Sequence, residues 1–139
     1  MASPIPPPVS LDLTWQGGMR FTGKSGAASI ALDGAGSSEP TPVQALAFSL
    51  AACMGIDLVH ILTTGRHGLK ALQAHLEGER RNVEPRHFTV IRLHFTVAGD
   101  IPPDAVERAI ALSRDKYCSV WHSLRRDIEL IATFDVVAG

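Results

Sequence analysis

The run PVQALAFSLAACMGIDLVHIL, from Pro42 to Leu62, constrains the fold of this chain more than any other stretch. It matches the ~20 apolar residues a helix needs to cross a bilayer. Asp57 near its centre would cost about 2.5–3.5 kcal/mol there, and the flanks lack Lys, Arg or Trp anchors. The reading that remains is a helix of a globular domain, buried on nearly every side. Val43, Leu46, Leu50, Met54 and Ile61 share one face; Ala45, Phe48, Ala52, Ile56 and Val59 share another. One sheet covers one face, and the second helix of the chain is too short to cover the rest. A second copy of the chain is the simplest cover, so we expect an intertwined homodimer with this helix at its centre.

The remaining elements come from pattern. A chain of 139 residues fits one domain, here 10–139, after a Pro-rich extended or disordered tail at 1–9. Leu11, Leu13 and Trp15 alternate with polar residues, as do Met19 with Phe21 and Ala28 with Ile30 and Leu32. These are three short strands. Thr41 is a good N-cap with Pro42 at the first helical position, and the helix ends around Gly65. Residues 71–80 and 88–98 read as longer strands. A helix after Pro102 and Pro103 aligns Val106, Ala109, Ile110, Ser113 and Tyr117; the piece SVWHSL is a short helix, and 128–134 a last strand. The order β-β-β-α-β-β-α-(α)-β indicates an α+β fold, an antiparallel sheet packed on a long central helix.

Net charge is −1, with no basic excess, so neither a nucleic-acid surface nor a membrane is expected as partner. The first residues lack a charged n-region and an apolar h-region, which points to the cytoplasm. Cys53 and Cys118 are there expected as free thiols or a redox pair, not a permanent structural disulfide. A lone mid-helix Cys is ordinarily a small buried hydrophobe. Here Ser49, Cys53, Asp57, His60 and Thr64 form one polar stripe, which needs partners or a water-lined pocket. Cys118 follows Arg114 and Lys116, with His122 one turn on, and positive neighbours lower a thiol pKa. Cys53, Asp57, His60 and His122 could also ligate zinc, but the spacing is unspecific and no metal is assigned. His67, His75, His87 and His94 read as loop or strand-edge residues.

The stretches SSEPTPVQALAFSLAACMGIDLVHIL, LEGER at 76–80 and AIALSRDKYCSVWHSL at 109–124 resemble the motifs of the OsmC/Ohr family, over roughly residues 10–137. The resemblance implies intertwined α+β dimers that act as thiol peroxidases on organic hydroperoxides and need no cofactor. By resemblance Cys53 is the peroxidatic thiol and Cys118 the resolving one. A dithiol reductant, in some members a lipoylated protein, restores both. The family's arginine matches Arg20, although Met19 and Phe21 beside it point to the other face. Its helix-start carboxylate falls on Gln44 or Val43, neither acidic, which leaves Glu39 of the preceding loop as the substitute. Phe48, Met54, Ile56 and Trp121 are expected as apolar pocket walls and Asp57 as a polar one. The alternative is a non-catalytic relative that binds a small apolar ligand or senses oxidation.

Overall fold

A computed structural model describes residues 4–139. The chain forms two compact units, one ending at Leu46 and one from Ala47 to Gly139. Of the tail expected at 1–9, residues 4–9 are exposed and carry no regular structure, and 1–3 lie outside the described residues.

The first unit is a three-stranded antiparallel meander of β1 (Asp12–Trp15), β2 (Arg20–Ser25) and β3 (Ala28–Asp33). The register pairs Leu13 with Gly23, Gly23 with Ile30 and Trp15 with Phe21, so one face is apolar. Gly23 is buried between Leu13 and Ile30, and a Cβ there would stand 2.9 Å from the Leu13 side chain. The helix α1 (Pro42–Thr64) starts as its sequence implies. The Gln44 amide donates to Thr41 Oγ1 at 3.1 Å and the Thr41 amide donates to Gln44 Oε1 at 3.0 Å, a reciprocal capping box. At its far end the left-handed residue is Arg66, with φ 61°, rather than Gly65, and the His67 amide reaches back to the Leu62 carbonyl.

In the second unit, β4 (Gly68–Arg80), β5 (Phe88–Asp100) and β6 (Glu129–Val137) form a sheet in the order β4-β5-β6. Ile91, Leu93, Phe95 and Val97 of β5 are buried, as alternation requires. The expected all-antiparallel sheet is corrected here: β4 and β5 pair antiparallel, but β5 and β6 pair parallel. After Asp100 the chain runs back through α2 (Pro103–Leu112), a π-turn (Ser113–Tyr117) and a 3₁₀ turn (Trp121–Ser123) before β6. That return brings β6 in at the same end as β5, the geometry of a crossover connection. Leu50, Met54, Leu58 and Leu62 make one fully buried stripe of α1, and Val106, Ala109 and Ile110 that of α2.

The other apolar face of α1 is open to solvent in the single chain. Phe48 is 66% exposed and Ile56 67%. Length and composition alone would suit α1 to a membrane. Its continuous buried stripe, with sheet and α2 residues in the same core, is what a globular domain makes of such a helix.

Candidate functional site: a thiol pair joined by a buried clamp

Cys53 sits at mid-helix on α1, half-buried, and Cys118 is fully buried at the end of the π-turn. The turn decides which residue faces inward. An α-helix continued past Ser113 would put Tyr117 on the buried face, one turn on. The π-turn adds a residue: the Cys118 amide donates to the Ser113 carbonyl at 2.8 Å, and Tyr117 rotates out to 49% exposure. The expected alignment of Tyr117 with Val106, Ala109, Ile110 and Ser113 is thereby corrected, and the thiol takes the inward place.

The Cys53 thiol is among the groups that act on the Cys118 thiol, so the two stand near each other. The Cys118 sulfur also accepts the Trp121 amide at 3.3 Å. Ser113, fully buried, donates its hydroxyl to Asp57 Oδ2 at 2.8 Å. Asp57 stands one turn beyond Cys53 on the same side of α1, so the bond ties the π-turn to the thiol-bearing helix.

Burial pushes the Cys118 thiol up to about 11. The Trp121 amide works the other way, while Cys53 and the Asp57 charge add to the rise. This reverses the expectation that nearby cations activate Cys118. Arg114 turns its Nη2 to the Leu130 carbonyl, Lys116 lies over the Tyr117 ring, and His122 Nε2 pairs with the Arg114 carbonyl. The Arg114 Nε is buried with no hydrogen-bond partner among the described residues.

The other expected site residues are dispersed. Trp121 is half-buried and touches the site through its backbone. Met54, expected on a pocket wall, is fully buried in the core. Phe48 and Ile56 line an open apolar groove of about 610 Å³ with Val59, Leu72 and Ala74. Asp57 also borders a second cavity of about 750 Å³, with His60, His67, Arg108 and Tyr117 on its walls. Arg20 and Glu39 belong to the first unit. Arg20 is exposed opposite Asp33, whose carboxyl is held below the usual range by the Ala35 amide and Ser37 hydroxyl, with Arg20 a lesser cause. Glu39 is half-buried in the loop before α1. Among the described residues no group of three or more His, Cys, Asp or Glu is placed to hold a metal ion. His94, expected at an edge, lies in mid-β5 between Thr133 and Asp135 of β6. Sequence reasoning missed Ser113 as a site residue. Its only signal was a serine on the buried face of α2, where an apolar residue is the rule.

The OsmC-like protein family model matches residues 34–132. Protein YhfA of Escherichia coli (strain K12) is 39% identical over 128 residues, covering 90% of this chain and 96% of that protein. A crystal structure from Aquifex aeolicus VF5 is 26% identical, covers 96% of this chain and 98% of its own, and has a TM-score of 0.88. The organic hydroperoxide resistance protein OhrB of Bacillus subtilis is similar in fold, with 16% identity, coverage of 91% and 98%, and a TM-score of 0.59.

Proposed function

The chain belongs to the OsmC-like family, and from that premise we propose that it is a thiol-dependent peroxidase that reduces organic hydroperoxides through Cys53 and Cys118. One observation carries the reading: two free thiols, distant in sequence, that the fold brings close enough for Cys53 to act on Cys118. In the first step the Cys53 thiolate attacks the distal peroxide oxygen. The O–O bond breaks, the alkoxide leaves and takes a proton to become the alcohol, and Cys53 becomes a sulfenic acid. Cys118 then attacks that sulfur, forming a disulfide and releasing water. A dithiol reductant, for which a lipoylated protein is our candidate, exchanges with the disulfide and is itself oxidised. The assignment of roles is supported by exposure. Cys53 is only half-buried, whereas Cys118 is fully buried and keeps its proton at neutral pH.

The open groove along Phe48 and Ile56 suits an alkyl tail. Roles for Arg20 and Glu39, as the cation and carboxylate that hold the thiolate and orient the peroxide, belong to this proposal; Arg20 rests on the family resemblance, and Glu39 stands in where this chain departs from it. So do a homodimeric assembly and a cytoplasmic location. A second reading, a chain that binds a ligand or senses oxidation without turnover, has one observation in its favour. The side chain at the helix start is the Gln44 amide, held in the capping box, and not a carboxylate that could orient a peroxide.

Reduced protein mixed anaerobically with one equivalent of cumene hydroperoxide separates the two. Loss of two thiols per chain within seconds is expected, Cys53→Ser should abolish it, and Cys118→Ser should leave a sulfenic acid that dimedone traps. Both thiols surviving many minutes would remove the peroxidase reading.

A further inference from the structure

Resting on the thiol chemistry just described, we propose that Ser113 and Asp57 are positioning residues that hold Cys118 against Cys53. Ser113 makes two bonds in opposite directions. Its hydroxyl donates to Asp57 Oδ2 at 2.8 Å, and its carbonyl accepts the Cys118 amide at 2.8 Å. Asp57 is joined to Cys53 by one turn of α1. The path Cys53–Asp57–Ser113–Cys118 thus links the segments that carry the two thiols through two hydrogen bonds and one helical turn. The Ser113–Asp57 link is charge-assisted, and Ser113 has no access to water. Removing either partner removes this hydrogen bond between the π-turn and α1.

Among the described residues the Trp121 amide is the one further polar contact on the Cys118 sulfur, and it comes from the same turn region, not from α1. It therefore fixes the thiol within its own segment but not against Cys53. The Asp57 charge acts in the same sense as the clamp. It helps keep Cys118 in the thiol form, the form that can donate to the Cys53 sulfur.

The test needs no peroxide. The reduced chain is equilibrated with graded ratios of reduced to oxidised glutathione, and the Cys53–Cys118 disulfide fraction is read by thiol alkylation and mass spectrometry. The equilibrium converts two protein thiols and one glutathione disulfide into the protein disulfide and two glutathione thiols, so its constant reports how well the two sulfurs are held together. Ser113→Ala and Asp57→Ala should each lower that constant about tenfold or more. Asp57→Asn keeps an acceptor oxygen for the Ser113 hydroxyl and should stay within about threefold of the parent. Global destabilisation, tracked separately by circular dichroism, would not produce this split. If Ser113→Ala does not fold, Asp57→Ala cuts the same bond from the part-exposed helix and decides the matter. An unchanged constant in the alanine variants, or Asp57→Asn falling as far as Asp57→Ala, would overturn the clamp. A chain that passes this test yet ignores hydroperoxides would lose the peroxidase reading and keep the clamp.

Discussion

Cys118 is the residue whose behaviour is set most directly by its surroundings. Burial lifts its thiol from 9.0 to about 11, so below that pH each unit increase raises the thiolate fraction about tenfold. Disulfide formation, started from a preformed Cys53 sulfenic acid, should therefore quicken by about tenfold per unit between pH 6 and 8. Stopped-flow tryptophan fluorescence can monitor it, and a flat profile would count against attack by the Cys118 thiolate. The sign for stability is opposite. The folded state binds this proton more tightly than the unfolded state. Its contribution is complete below about pH 9 and is lost as pH rises toward 11, so urea midpoints of the reduced protein should decline over that range. Both cysteines stand out in the sequence by their motifs. The protonation of Cys118 was not, because neighbours in sequence are not neighbours in space. Arg114, Lys116 and His122 each turn toward other groups.

Among the elements, helices and strands were legible where a local period sets them. The capping box of Thr41 and Gln44 and the alternation of β5 need only residues two to four apart. The π-turn was not legible. Its extra residue has no sequence signature here, yet it exchanges Tyr117 for Cys118 on the inward face. The irregularity at the end of β5 has a sharper consequence. Gly99 has φ 136°, and a Cβ there would stand 2.0 Å from the Gly68 carbonyl oxygen, beside the register shift between Leu69 and Ala71. Gly99→Ala should cost about 3 kcal/mol or more in urea unfolding, since both the backbone angle and the contact are forbidden to a side chain. A loss below about 1 kcal/mol would mean that the strand end relaxes freely.

At the scale of the molecule, α1 poses the question of its second face. Phe48, Ile56 and Val59 stay exposed in a single chain, an apolar surface that isolated soluble subunits rarely keep. Assembly through this face predicts sedimentation at twice the chain mass of 14.9 kDa. Ile56→Asp, at a site 67% exposed in the single chain, should leave the subunit folded and shift the species to 14.9 kDa. A wild-type protein that sediments as a monomer would exclude a dimer. By itself the sequence determined the element order, the buried face of α2 from Val106 to Ser113, the cap of α1 and the family motifs around each cysteine. All of these are relations among near neighbours along the chain. Only the tertiary structure decided that β6 joins β5 in parallel, which stripe of α1 is buried, and that Ser113 meets Asp57 where two thiols converge. Those depend on how the crossover returns and on how far one extra residue in a turn rotates the next side chains, and no local period encodes either.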